Sequence, residues 1–381
     1  MIRLLEIFVA LVITAILAVV FAIALPNHRH IDKAKVYSAP VRQIFDVLDG
    51  FRTYPSWKAP LMAYDAKVRF DFAGPEMGSG AKLNWTGSVD SKLGNGTFTI
   101  IPDPVQDKQV RWAIDNNWKG TGKTFTWDLE PAENGRTVKV TLSYDVDYGW
   151  DLLARYSGLY IGGEPSTWVQ LHLDDLEKYF ATVPNVDYKD ATIDLKDVAA
   201  RPLLCVSTKA KRNLDDVADA TSKALEEIQA DIKRGEPASA EAVADESDNG
   251  KGKNKGKKAA APKVQVDTTG PRMTVTSNFG DENYEFDVCL PVSRNDIKLT
   301  DPVKAANSYV GKALQTSFTG SPAQLPGMRR MLQAYALTHG YAYDDSGTGP
   351  GRAYDELTTT DANAADDQQS FTVTLPVTLQ Q

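Results

Sequence analysis

From Ile7 to Leu25 the chain is apolar apart from Thr14, and few soluble folds can use such a run. As a helix it would extend roughly 28 Å at 1.5 Å per residue, enough to cross the core of a bilayer. A core helix of a soluble domain keeps a polar face, and this run has none. Two readings stay open: an uncleaved single-pass anchor over residues 1–28, or a signal peptide cut after the small-x-small triplet Ala22-Ile23-Ala24. The run is long for a signal core and Leu25-Pro26 is a poor cleavage site, so the anchor is the expectation. Arg3 precedes the run while Arg29, Lys33 and Lys35 follow it, which taken literally leaves the C-terminal side in the cytoplasm. A two-residue tail behaves as the n-region of a signal anchor, however, and long domains translocate largely regardless of charge. Export is therefore expected.

The remaining length of a 381-residue chain suits two cores rather than one. With 42% hydrophobic, 24% charged and 9% aromatic residues the composition is that of a globular protein. A net charge of −8 argues against a dedicated nucleic-acid binder, which needs a basic surface to neutralise phosphates. Two cysteines exclude a disulfide-built scaffold and a four-cysteine zinc site, and four histidines leave few ways to make a histidine-rich metal site. No metal or cofactor is expected. Cys205 and Cys289 could pair in an oxidising compartment, but buried strand cysteines more often act as small hydrophobes. Gly120-Thr-Gly-Lys123-Thr imitates a phosphate loop, yet a strand follows it where a helix N-terminus is required.

Residues 31–38 read as a strand and 40–48 as a helix with Val41, Ile44, Phe45 and Leu48 on one face. Six strand-like runs follow, at 67–72, 81–88, 95–101, 109–114, 123–130 and 137–147, with hairpin turns expected at 94–96 and 133–135. From 150 to 183 the pattern is that of one long helix, the only amphipathic element long enough to cover a sheet face of this size. Residues 184–194 read as a connection.

The strand followed by Ala39-Pro40-Val41-Arg-Gln-Ile44-Phe45-Asp-Val-Leu, then Phe51-Arg-Thr-Tyr54-Pro55-Ser-Trp57 and Gly74-Pro-Glu-Met-Gly78-Ser-Gly80-Ala81-Lys-Leu-Asn-Trp85, resembles the polyketide cyclase/dehydrase branch of the START and Bet v 1-like (SRPBCC) helix-grip superfamily. The resemblance covers residues 29–183. It implies an antiparallel sheet gripping a long C-terminal helix over an apolar cavity, with Trp57, Trp85 and Trp118 as candidate lining residues.

An internal repeat marks the second half. Glu285-Phe-Asp287-Val-Cys-Leu-Pro-Val and Ser370-Phe-Thr372-Val-Thr-Leu-Pro-Val agree at Phe, Val, Leu, Pro and Val in register. Each closes a series of strand, helix, strand and strand: 201–208, 214–232 and 272–278 before the first, 311–318, 328–339 and 352–357 before the second. The pattern resembles the GyrI-like effector-binding domain of bacterial small-molecule sensors, over residues 195–381. That family binds its ligand in a groove between pseudosymmetric halves and usually has an acid before the terminal Pro-Val. Asp287 falls there in the first copy, but Thr372 replaces it in the second; Tyr354 fits the family's aromatic and Glu356 is the nearest carboxylate. Residues 236–270, rich in Ala, Ser, Asp and Glu and then in Lys, read as a disordered insertion.

The expectation is an α+β chain: a membrane helix, a helix-grip domain and a duplicated β-α-β-β domain. Its expected function is to bind small hydrophobic or amphipathic molecules from the inner membrane of a bacterium, with the soluble domains in the periplasm and no specific nucleic-acid partner. The candidate ligand residues are Trp57, Trp85, Trp118, Asp287, Tyr354 and Glu356, and no catalytic residue is singled out. A cyclase/dehydrase-like or hydrolytic enzyme is the alternative; no nucleophile–base spacing supports it.

Overall fold

A computed structural model describes residues 2–57, 60–102, 104–132, 137–238, 263–359 and 368–380. The expected turn at 133–135 and most of the expected insertion, 239–262, lie outside the described residues. The chain is mixed α+β, with seven α-helices among the described residues and two large antiparallel sheets. It divides into two compact units: unit 1 holds the residues up to Lys189 with 337–340 and 380, and unit 2 holds 190–336 and 341–379.

Unit 1 opens with α1 (Ile2–Ala24), nearly all of whose side chains are exposed. Its one mid-helix hydroxyl, Thr14, donates to the carbonyl of Ala10 at 2.8 Å, which leaves no unsatisfied polar side chain in the run. Then come β1 (His28–Tyr37), α2 (Val41–Leu48), the short α3 (Pro60–Tyr64), β2 (Arg69–Ala73), β3 (Lys82–Thr86), β4 (Asn95–Ile100), β5 (Gln109–Asp115), β6 (Thr121–Ala132), β7 (Thr137–Asp147), α4 (Leu152–Ser157) and α5 (Glu164–Phe180). The seven strands form one sheet in the order β1-β7-β6-β5-β4-β3-β2. Alternation sets its inner face: Trp112 between Val110 and Ile114 on β5, Phe125, Trp127 and Leu129 on β6, and Val138 to Val146 at every second residue of β7 are all buried. Gly96 is required where it stands, because its cross-strand partner Trp85 lays its ring over it and a Cβ there would lie 2.1 Å from that ring.

The single helix expected over 150–183 is two helices. Gly158 ends α4 and Gly162-Gly163 precede α5, whose N-cap Gly163 makes no side-chain capping bond. Glycines lower helix propensity by about 1 kcal/mol each relative to alanine, and three within six residues outweigh the periodicity.

Unit 2 consists of β8 (Asp194–Val198), β9 (Pro202–Lys211), α6 (Leu214–Arg234), β10 (Met273–Phe279), β11 (Asn283–Pro291), β12 (Lys304–Asn307), β13 (Gly311–Thr319), α7 (Leu325–Thr338), β14 (Tyr341–Ala342), β15 (Tyr354–Leu357), β16 (Ser370–Pro376) and β17 (Thr378–Leu379). Helix α6 is well marked: Asn213 caps it by accepting from the Asp216 N–H at 2.8 Å, and Gly235 closes it in the left-handed region. The eight-stranded sheet runs β12-β9-β11-β10-β15-β16-β13-β8, all pairs antiparallel. Outward from the β10–β15 pair, one side reads β10-β11-β9 and the other β15-β16-β13; β8 and β12, not foreseen in the sequence, close the edges. One sheet face is packed by α6 over Leu204, Val206, Phe286 and Val288 and by α7 over Leu314, Phe371, Val373 and Leu375. On the other face Cys205 and Cys289, directly opposite in the β9–β11 register, form a disulfide beside Met273 and Tyr354.

Candidate functional site

On the helical face of the unit 2 sheet, between the start of α6 and the start of α7, lies a hollow of about 470 Å³. That volume is within the range of small-molecule sites. Its walls include Asn213, Val217 and Thr221 on one side and Leu325, Pro326 and Arg329 on the other. The floor is the β10–β15 junction, where Thr274 and Asp355 are cross-strand partners.

The floor carries buried charge. Arg329 donates through Nε to one Asp355 carboxylate oxygen at 3.1 Å and through Nη2 to the other, and it also donates to the Tyr284 hydroxyl at 3.2 Å. Burial by itself would lower the Arg329 pKa, but Asp355 and Tyr284 outweigh it and hold the guanidinium above its ordinary value. Burial raises the Asp355 carboxyl above its ordinary value and Arg329 only partly offsets it; the two-pronged contact with a guanidinium that keeps its proton makes the two an ion pair. Arg272, just before β10, lines the same hollow, and burial lowers its pKa. Its Nε is buried with no hydrogen-bond partner. At the rim the Arg212 guanidinium stands 4.2 Å from the Phe279 ring centroid. A second hollow of about 620 Å³ shares Arg212, Phe279, Pro326 and Arg329 with the first.

The interior of unit 1 is built of rings. His172 of α5 is fully buried, and its Nδ1 lies 2.8 Å from the Trp168 carbonyl and its Nε2 3.0 Å from the Tyr54 hydroxyl. A carbonyl only accepts, so Nδ1 carries the proton and Nε2 accepts from Tyr54. Desolvation pushes the His172 pKa down to about 4, leaving a neutral imidazole. Phe98, Trp112, Phe125, Trp127 and Trp168 surround it with ring centroids 5.1–6.3 Å away. The indole Nε1–H groups of Trp85 and Trp127 are buried and donate to no protein acceptor.

The six residues singled out from the sequence fall into three places. Trp57 and Trp85 are in the unit 1 interior, where Trp57 packs at 6.2 Å on Trp112 and Trp85 at 4.8 Å on Phe98. Trp118 lies on the loop between β5 and β6, edge to face with Trp168 at 4.6 Å. That loop is held by the Lys123 ammonium, which donates to the Asn116 carbonyl at 2.8 Å and the Trp118 carbonyl at 3.0 Å; the lysine of the imitation phosphate loop is thus engaged with backbone. Asp287, Tyr354 and Glu356 are in unit 2, on the sheet face turned away from the helices, because each alternates with a residue that faces α6, α7 or the hollow. Asp287 accepts from Arg352 at 2.6 Å and Glu356 from Arg201 at 2.8 Å. Among these, Tyr354 and Glu356 come together beside the disulfide, and none of the three lines the α6–α7 hollow.

Sequence reasoning missed Arg272, Arg329 and Asp355. A signal for Arg329 was present: it interrupts the apolar stripe Leu325, Met328, Leu332 and Ala336 of α7. A charge inside such a stripe has to find a buried partner.

No protein-family model matches the chain, and no curated protein matches it. Among solved structures the chain is similar to EcmrR in its complex with DNA, at 10% identity and a TM-score of 0.37, over 66% of this chain and 88% of that one. It is similar to a hydrolase from Listeria innocua at 13% identity and a TM-score of 0.32, over 54% and 98% of the two chains. Norcoclaurine synthase from Thalictrum flavum, in complex with dopamine and hydroxybenzaldehyde, is similar at 13% identity and a TM-score of 0.31, over 42% and 90%.

Proposed function

We propose that the chain is a membrane-anchored binding protein for small amphipathic molecules, with a helix-grip unit of the START/Bet v 1 kind at 29–183 and a duplicated GyrI-like unit at 195–381. The strand order on either side of β10–β15 supports the duplication. The observation that carries the function is the hollow between α6 and α7, where Arg272 has an open buried donor over a floor already neutralised by Arg329 and Asp355. A guanidinium whose buried Nε–H is unmet calls for an anionic acceptor. Val217, Leu325 and Phe371 beside it suit a hydrocarbon or ring. The expected ligand has an acidic head and an apolar body.

The test is calorimetric titration of the full chain in lipid nanodiscs with an arylalkyl carboxylate, its alcohol and its trimethylammonium analogue. The carboxylate binds most tightly, and Arg272→Met weakens it by about tenfold or more, the worth of a charge-assisted hydrogen bond. Equal affinities for all three, or an unchanged carboxylate affinity in Arg272→Met, would sink the reading. The cationic analogue tests the other sheet face, where Asp287, Tyr354 and Glu356 would suit it; there a cation has to displace Arg352 and Arg201 from their carboxylates.

A second site in unit 1 is favoured by the unmet indole donors of Trp85 and Trp127, which suit a carbonyl or hydroxyl on an apolar guest, with Trp57 and Trp118 at its margins. Binding is preferred to catalysis because the buried acid Asp355 is held by Arg329 and the buried base His172 already has both nitrogens engaged. Export is supported by the Cys205–Cys289 disulfide, which suits an oxidising compartment.

A further inference from the structure

We propose that α4 and the turn after it, residues 148–163, lie in the lipid interface beside the C-terminal end of α1, so that unit 1 rests on the bilayer rather than swinging from its anchor. The inference rests on reading α1 as a membrane-spanning helix.

The segment reads Tyr-Gly-Trp150-Asp-Leu-Leu153-Ala-Arg-Tyr156-Ser-Gly-Leu159-Tyr160-Ile-Gly-Gly and holds two charged residues. Both have local work. Asp151 caps α4 by accepting from the Ala154 N–H at 2.9 Å. Arg155 is buried and donates to the Gly149 carbonyl at 2.6 and 2.9 Å and to the carbonyls of Ile23 at 3.0 Å and Leu25 at 3.3 Å, so it satisfies acceptors that the end of α1 leaves open. Apart from Asp151 and the glycines, what faces outward is apolar and aromatic: Trp150 is 81% exposed, Leu153 83%, Tyr160 76% and Leu159 49%. Four large side chains bared within eleven residues are out of place against water. Trp and Tyr are the residues that bilayer interfaces favour.

Contacts with α1 fix the level at which this segment sits. The Tyr156 hydroxyl donates to the Ala18 carbonyl at 2.6 Å, and its ring lies 5.9 Å from that of Phe21. Ala18 is about 9 Å before Ala24 along the axis, at 1.5 Å per residue. Helix α1 is about 34 Å long against a hydrocarbon core of about 30 Å, so when centred its end lies about 2 Å past the boundary between acyl chains and headgroups and Ala18 about 7 Å inside it. Segment 148–163 is held at that depth, with Trp150, Leu153 and Tyr160 turned outward. The connection to the sheet is short: only Leu25, Pro26 and Asn27 separate α1 from β1, and the Asn27 carbonyl accepts from the Tyr148 N–H at 2.6 Å.

The test places one environment-sensitive fluorophore at a time on the full chain in lipid vesicles, through Leu153→Cys, Tyr160→Cys, Val12→Cys in the middle of α1, and Lys108→Cys at the far end of the sheet. The native cysteines are paired, so a maleimide dye reaches only the introduced thiol. Leu153, Tyr160 and Lys108 are exposed, and replacing them removes no core packing. The proposal expects dyes at 153 and 160 to shift to the blue and lose emission to nitroxides high on the lipid chain. The dye at 12 should respond to a deep nitroxide and the dye at 108 to neither. Deep quenching at 12 with none at 153 or 160 overturns the platform and keeps the anchor. No quenching at 12 overturns both. Blue-shifted dyes at 153 and 160 that no lipid nitroxide quenches mean that a second protein surface covers the segment, which also overturns it.

Discussion

In unit 1 the sheet face under α5 is filled by aromatic rings, and its buried titratable centre is a neutral histidine between a carbonyl and a hydroxyl. In unit 2 the face under α6 and α7 is packed mainly with aliphatic side chains around Tyr284, Phe286 and Phe371, and between the helices it carries an ion pair, a guanidinium with an unmet Nε–H and an open hollow. A large ring buries 150–250 Å² and closes space with few polar atoms to satisfy. Two helices side by side on one sheet leave a trough between their first turns that aliphatic residues do not fill. The comparison separates an interior closed by rings from a sheet face that already holds an open hollow.

The largest effect that would break this contrast is expected at Asp355. Asp355→Ala leaves Arg329 charged and buried, and should cost unit 2 about 3–5 kcal/mol in denaturant unfolding followed by circular dichroism. All seven tryptophans lie at or before Trp168, so tryptophan emission follows unit 1, and its transition should stay in place. A tryptophan transition that moves with the variant would mean that the two regions share one unfolding event. Replacing both partners, Arg329→Met with Asp355→Leu, should restore most of the loss.

Next in size is the acid response of unit 1. His172 titrates near 6.5 when unfolded and near 4 when folded, so the unfolded chain takes the proton first. Its contribution is complete above pH 6.5 and declines as the pH falls toward 4, by about 3 kcal/mol at 1.36 kcal/mol per unit. Asp46 and Asp49 act in the opposite sense. Burial pushes both up to about 6 from 3.8, so their protonation stabilises the fold as the pH falls through that range. The measurement is therefore the difference between wild type and His172→Gln: the variant should lose less stability between pH 6.5 and 4, and parallel profiles would show that the imidazole is not held neutral.

Arg272→Met sharpens the contrast from the other side. It removes a desolvated group with no partner at Nε, so the melting temperature should stay or rise while carboxylate affinity falls. A clear drop in stability would make Arg272 a structural element of unit 2. The smallest effect belongs to Trp118→Leu, which gives up the edge-to-face contact with Trp168 and should cost about 1 kcal/mol in the tryptophan-detected transition.

Much of this contrast could be read in the sequence, and the rest turned on register. Alternation along 109–114, 123–130 and 137–147 marks β5, β6 and β7, and the Phe-Val-Leu-Pro-Val echo marks β11 and β16. The acids of unit 2 illustrate the limit. Tyr354, Asp355 and Glu356 are consecutive, and a strand sends them to alternate faces; residue type favoured the outer two, while strand pairing turns the middle one toward α7. The cysteine pair was undetermined for the same reason, since only the β9–β11 register sets Cys205 opposite Cys289. His172 was not singled out, because nothing local marks its partner: Tyr54 is 118 residues away. The break between α4 and α5 was written in Gly158, Gly162 and Gly163, although helical periodicity runs on either side of them.

The Cys205–Cys289 bond also changes the covalent topology of unit 2. With its ends 84 positions apart in the sequence, it closes α6, β10 and everything between them into a ring. A peptide bond cut anywhere inside that ring opens it without dividing the molecule, so a protease that attacks there yields a nicked chain of unchanged mass apart from one water. Both parts stay in one molecule, and both halves of the α6–α7 hollow stay joined to it, until a reductant parts the sulfurs.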